Sequence, residues 1–137
     1  MSLNPYLYFE GQCEEAFKFY EKCLGGKITF MMNYEGSPMA SQVPPGWAKK
    51  ILHAGLTVNG GVLEGCDAGP GRYKKPESFC VMLRPNDAAG AEHIFKALAE
   101  QGTVQIPIGE TFWALRFGMV VDRFRIPWLI NCENSAA

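Results

Sequence analysis

Residues 111–131, TFWALRFGMVVDRFRIPWLIN, most restrict what this chain can become. They alternate with period two, and slipping a strand by one residue moves every side chain to the other face. Leu115, Phe117, Met119 and Val121 fall on one side, and Arg116, Gly118 and Val120 on the other. Asp122-Arg-Phe-Arg125 breaks the run. Ile126, Trp128 and Ile130 then alternate with Pro127, Leu129 and Asn131. The pattern predicts a β-hairpin with one apolar face and one mixed face. Residues 51–66, ILHAGLTVNGGVLEGC, repeat the design. Ala54, Leu56 and Val58 alternate with His53, Gly55 and Thr57, Asn59-Gly60 forms a two-residue turn, and Leu63 alternates with Val62, Glu64 and Cys66. When the copies are overlaid, His-Ala-Gly 53–55 falls on Arg-Phe-Gly 116–118, and Leu-Glu 63–64 on Trp-Leu 128–129. The same hairpin is expected twice, with the chemistry on the mixed faces.

The remaining segments complete two matching modules. Residues 3–9 alternate, with Leu7 and Phe9 on the apolar side and Asn4, Tyr6 and Tyr8 on the other. Residues 13–24 shift to helical spacing, with Ala16, Phe19, Tyr20 and Cys23 as the stripe, Glu14 and Glu15 at the positive end and Gly25-Gly26 as the stop. A strand is expected at 27–34, and a proline-containing loop with an exposed Trp47 at 35–48. After the first hairpin, 68–76 reads as a linker, its Gly69-Pro-Gly71 and Lys74-Lys75 as solvated loop chemistry. A strand is expected at 78–84, with Phe79, Val81 and Leu83 on one face. Asn86 or Asp87 caps a second helix with the stripe Ala91, Ile94, Phe95 and Leu98, and a short strand at 103–108 leads into the second hairpin. The order is β-α-β-β-β twice, giving an α+β fold with modules at 1–67 and 77–137. One helix covers one face of each sheet, leaving the opposite faces to enclose a cavity.

Composition removes several functions. At 137 residues, a chain buries roughly 68% of its unfolded surface and needs neither metal nor disulfides to fold. Formal net charge is −1, with Lys and Arg scattered, so there is no basic face for nucleic acid. No apolar run approaches the ~20 residues that span a membrane, and no signal peptide is evident; a cytoplasmic location is expected. Five cysteines without a CxxC read as reduced apolar fillers.

On the mixed face, Gly55 is expected to pair with Glu64, leaving His53 diagonal to Glu64. These two are the catalytic candidates: a carboxylate beside an imidazole orients a general base, holds a divalent metal with added waters, or satisfies itself at a cavity wall. Arg116 is expected to face the cavity and clamp an anion, or to pair with Glu64 or Glu110. Trp113, Tyr6 and Tyr8 offer flat surfaces for a planar ligand or serve as core. Trp128 reads as core and His93 as solvated surface.

The segments NPYLYFEGQCEEAFKFY (4–20), ILHAGL (51–56) and FW-x-x-RFG-x-x-x-D-R-F-x-x-PW-x-x-N (112–131) resemble the vicinal oxygen chelate superfamily. This group includes glyoxalase I, bleomycin- and fosfomycin-resistance proteins and extradiol dioxygenases, and the match is closest to its PhnB-like branch. Arg125 departs from that branch, which usually has Gly in this turn. The resemblance implies a U-shaped mixed sheet around a ligand cavity, helices on its outer face, and a homodimer. It also implies four metal-ligand positions, which fall here on Asn4, Glu64, Ser78 and Leu129. Only Glu64 is a strong ligand for a first-row metal, and Leu129 has no donor, so no metal cofactor is expected. Some relatives carry a ubiquinone-methyltransferase label, but no Gly-rich loop follows the first strand to hold a nucleotide-like methyl donor. The expected function is binding of a planar or anionic small molecule. The alternatives are an enzyme using His53 and Glu64, or a structural dimer with a filled cavity.

Overall fold

The computed structural model describes residues 1–134, so residues 135–137, at the end of the expected second module, lie outside the described residues. The chain divides between Lys74 and Lys75 into two units. The first holds β1 (Tyr6–Phe9), α1 (Cys13–Leu24), β2 (Lys27–Asn33), β3 (Ile51–Val58) and β4 (Gly61–Asp67). The second holds β5 (Val81–Leu83), α2 (Ala88–Ala99), β6 (Thr103–Gly109), β7 (Ala114–Val121) and β8 (Pro127–Glu133). This is the expected α+β arrangement of two βαβββ modules. Hydrogen bonding groups the strands into two four-stranded mixed sheets, ordered β1-β4-β3-β2 and β5-β8-β7-β6, and neither closes into a barrel.

In the first unit, β1 runs parallel to β4 with Tyr6 opposite Glu64, and β3 pairs antiparallel with β4. Asn59 and Gly60 both take positive φ, as a two-residue hairpin turn requires. That turn sets Gly55 opposite Glu64, the predicted register. Leu7, Phe9, Ala54, Leu56 and Leu63 are buried. α1 buries Cys13, Ala16, Phe17, Tyr20 and Cys23. The predicted stripe has Phe19 where the helix buries Phe17; both sets fit the 3.6-residue period, and the Phe17 ring meets Phe9 of the sheet, edge-on at 6.1 Å. A Cβ on Gly65 would stand 2.6 Å from the Leu7 carbonyl oxygen and 3.1 Å from the Phe17 ring, so this glycine lets helix and sheet close up. Gln12 makes no side-chain cap for α1. Asp67 does that work from the end of β4: Oδ1 accepts the Cys13 N–H at 2.9 Å and Oδ2 the Ile51 N–H at 2.8 Å.

The second unit repeats the plan with different devices. Asp87 caps α2, its Oδ1 accepting the Gly90 N–H, and the buried stripe is Ala91, Phe95 and Leu98. Asp122 organises the β7–β8 turn. Its Oδ1 accepts the N–H groups of Phe124 (2.7 Å) and Ile126 (3.1 Å), and its Oδ2 accepts the indole N–H of buried Trp128 at 2.8 Å. Arg125, the departure from the branch's Gly, sits at φ 71.

Here the structure corrects the sequence reading. Ala114, Gly118 and Val120 are buried, whereas Leu115, Phe117, Met119 and Val121 are half-exposed. A Cβ on Gly118 would stand 2.8 Å from the Phe95 ring, which puts this face of β7 under α2. The overlay of Arg-Phe-Gly on His-Ala-Gly is out of register by one. Gly55 sits opposite Glu64 and Met119 opposite Leu129, so His53 corresponds to Phe117 rather than to Arg116. Small residues lie where the helix presses, and the bulkier apolar ones fall on the open face. Two smaller corrections concern loops. The predicted strand at 78–84 is reduced to Val81–Leu83, with Phe79 exposed. Trp47 is half-buried, its ring edge-on to Tyr34 at 6.0 Å.

Candidate functional site

The face of the first sheet turned away from α1 collects the polar side chains. Alternation along β1 buries Leu7 and Phe9 and leaves Tyr6 and Tyr8 exposed. Opposite registers bring Glu64 beside Tyr6, and Cys66 beside Tyr8. The Tyr6 hydroxyl lies 3.0 Å from His53 Nδ1, and His53 Nε2 lies 3.4 Å from Glu64 Oε1. Asn4 Nδ2 donates to Glu64 Oε2 at 3.3 Å. Burial, reinforced by the neighbouring Cys66 thiol, pushes the Tyr6 phenol well above its ordinary value, so it keeps its proton. The Tyr6 hydroxyl and His53 Nδ1 share one hydrogen, and Nε2 faces the Glu64 carboxylate. The result is a chain, Tyr6 to His53 to Glu64, with Asn4 holding the far carboxylate oxygen.

Rings fix the imidazole in place. Tyr6 stacks on His53 at 5.6 Å, Phe30 approaches it at 4.7 Å, and Tyr8 lies 5.2 Å from Tyr6. Gly55 makes room for Phe30, since a Cβ there would stand 2.3 Å from the ring. Beside Tyr6 and Tyr8 opens a cleft of about 780 Å³. Tyr34 and Met39 line its other side, and Arg72 and Lys74 reach it from the segment after β4. The Cys66 thiol in its wall is pushed up by burial, against the opposing effect of its Tyr6 hydrogen bond.

The other predicted residues belong to the second unit and have different surroundings. Arg116 does not face the open side of its sheet: Nε donates to Glu92 of α2 at 3.0 Å and Nη1 to the Leu115 carbonyl. The sequence reading has Arg116 clamping an anion or pairing with Glu64 or Glu110; the one-residue shift of β7 gives it Glu92. Trp113 lies edge-on to Phe117 at 5.2 Å and to Phe112 at 4.7 Å. Asn131 Nδ2 donates to Glu133, while its buried Oδ1 has no partner among the described residues. Sequence reasoning set Lys74 aside as solvated and passed over Arg72 and Tyr34. The one signal in the chain was the Gly69-Pro-Gly71 turn that precedes Arg72.

The donor set does not fit the metal that the superfamily implies. Asn4 and Glu64 do meet, but Asn4 and Ser78 are neutral and Leu129 offers hydrocarbon, leaving Glu64 as the one anion. Among the described residues no group of three or more His, Cys, Asp and Glu side chains gathers into a metal cluster. No helix among them is long and apolar enough to cross a membrane.

Comparison with known proteins agrees with the fold. The family model described as 3-demethylubiquinone-9 3-methyltransferase matches residues 1–131. The crystal structure of protein PA1353 from Pseudomonas aeruginosa is 42% identical, with a TM-score of 0.89 over 97% of this chain and 98% of that one. A putative 3-demethylubiquinone-9 3-methyltransferase, PhnB protein, from Bacillus cereus is 22% identical, with a TM-score of 0.80 over 96% and 99% of the two chains. A member of the glyoxalase/bleomycin resistance protein/dioxygenase superfamily from Sphaerobacter thermophilus DSM 20745 is 18% identical, with a TM-score of 0.58 over 97% and 98%.

Proposed function

Because the chain belongs to the PhnB-like 3-demethylubiquinone-9 3-methyltransferase family and has the glyoxalase/bleomycin-resistance fold, we propose that it binds a small planar organic molecule. The ligand lies in the first unit, against Tyr6 and Tyr8. The observation that carries this reading is the Tyr6–His53–Glu64–Asn4 chain. His53 meets the Tyr6 hydroxyl through Nδ1 and faces Glu64 through Nε2, so the chain holds the Tyr6 ring in one orientation against the ligand. Tyr6 keeps acceptor capacity on its oxygen and an exposed ring face, which suit a flat ligand bearing a hydrogen-bond donor.

The reading is of metal-free binding, in keeping with the donor chemistry at Asn4, Ser78 and Leu129. It does not extend to methyl transfer, because Glu10-Gly11-Gln12 follows β1 where a nucleotide-like methyl donor needs a glycine-rich loop. We also propose that two copies associate, because Phe112 and Phe79 are exposed. Sedimentation equilibrium should give a dimer at micromolar concentration, and a monomer would refute pairing.

The test of binding is calorimetry with planar aromatic probes on the wild type and on Tyr6→Phe, His53→Ala and Arg116→Ala. Losing the Tyr6 hydroxyl removes one hydrogen bond, so binding should weaken about two- to tenfold. His53→Ala should weaken binding by releasing Tyr6, and Arg116→Ala should leave it unchanged. Equal affinity across all four proteins would defeat the reading.

A further inference from the structure

We propose that the cleft beside Tyr6 and Tyr8 takes an aromatic monocarboxylate, its ring against the tyrosines and its carboxylate on the Arg72 guanidinium, with Lys74 alongside. The proposal rests on the binding function above and adds the chemical class of the ligand and the residues that select it.

Size comes first. At about 780 Å³ the cleft falls within the roughly 300–1,000 Å³ of small-molecule sites. Its flat surfaces are Tyr6, Tyr8 and Tyr34. Its charge comes from the segment after β4. Gly71 takes φ 73, and the Arg72 N–H closes the Gly69-Pro70-Gly71 turn on the Gly69 carbonyl at 2.9 Å. The Arg72 stem is laid over that turn, its Cδ 3.4 Å from where a Cβ on Gly69 would stand. The guanidinium is close enough to Tyr34 to oppose, without overcoming, the upward push of burial on that phenol.

Neither Arg72 nor Lys74 forms an ion pair among the described residues. Arg84, Arg116 and Arg123 each have a carboxylate. The one acidic side chain in the cleft wall is Asp67, whose two oxygens are taken by the N–H groups of Cys13 and Ile51. Two positive charges against one negative leave the lining at +1, a balance that one carboxylate closes and a dianionic phosphate overshoots. The guanidinium fork also matches the two carboxylate oxygens in its plane.

The experiment titrates 2-naphthoate, its neutral isostere 2-naphthamide, and inorganic phosphate into the full chain and into Arg72→Ala, Lys74→Ala and Arg116→Ala. Arg72 and Lys74 are both exposed, and circular dichroism is the check that each variant is folded. The acid should bind wild type about ten- to a hundredfold more tightly than the amide, and Arg72→Ala should abolish that preference while sparing amide binding. Lys74→Ala should reduce it severalfold, and Arg116→Ala should not change it. Acid and amide binding alike, or an acid preference surviving Arg72→Ala, overturns the inference and leaves the binding function intact. Phosphate competing as well as naphthoate overturns the assignment to carboxylates. If neither naphthyl probe binds, the binding function falls as well, and this inference with it.

Discussion

Replacing Asp67 tests how the first unit holds its site together. The side chain is 1% exposed, and each carboxylate oxygen has a separate task. Oδ1 accepts the N–H that begins α1, and Oδ2 the N–H that begins β3. Asp67→Ala leaves both donors buried without an acceptor. Each orphan costs about 1–3 kcal/mol, so the loss should be about 2–6 kcal/mol, against a total stability of about 5–15 kcal/mol for a domain. Asp67→Asn keeps one acceptor but turns an amide N–H₂ toward the other donor, for a loss of about 1–3 kcal/mol. Urea unfolding followed by circular dichroism measures both, compared at equal m. The order should be wild type, then Asn, then Ala. An alanine variant within about 0.5 kcal/mol of wild type would refute the two-donor argument, because surface substitutions alone stay in that range.

Three further outcomes are expected. Arg125→Gly should stabilise by about 0.5 kcal/mol, since relief of a left-handed non-glycine residue (about 1–2 kcal/mol) outweighs glycine's extra freedom when unfolded; a urea midpoint lower than wild type would contradict this. Gly65→Ala should cost more than Gly55→Ala, because the new Cβ meets the Leu7 carbonyl oxygen in one case and the movable Phe30 ring in the other; equal unfolding free energies would count against it. Burial pushes Tyr6, Cys13, Tyr34 and Cys66 up, so these groups keep their protons in the folded chain while the unfolded chain loses them from about pH 9 upward, beginning with thiols of ordinary value 9.0. The unfolded state then binds fewer protons, and stability, fully present below that range, should fall as pH rises from 8 to 10.5; a flat urea midpoint over that span would contradict the burial argument.

The sequence reveals the fold best where a local feature pins the register. Asn59-Gly60 admits one tight turn, and from it the opposition of Gly55 and Glu64 and the approach of His53 to Glu64 can be read directly. The second hairpin lacks such a pin, because its turn is built by Asp122 reaching forward to Phe124, Ile126 and Trp128. Alternation then identifies the strand but not which face lies under the helix. Choosing the bulkier row, Leu115 to Val121, selects the open side, since α2 needs Gly118 and Ala114 beneath it. Arg116 is misplaced for the same reason. Phe17 against Phe19 is a smaller case, because both fit helical spacing and packing on Phe9 separates them. Tyr34, Arg72 and Lys74 stand in or beside segments with no period, where turns rather than alternation set direction. Their place in one cleft wall emerges only in three dimensions.

The most direct test of the central claim is a crystal structure of the full chain with 2-naphthoate. The account predicts ligand density in the first unit's cleft, the ring against Tyr6 and Tyr8, the carboxylate on Arg72, and the Tyr6–His53–Glu64 chain retained. A cleft filled by the protein's own side chains, or naphthoate bound with its carboxylate on Arg116, would contradict it.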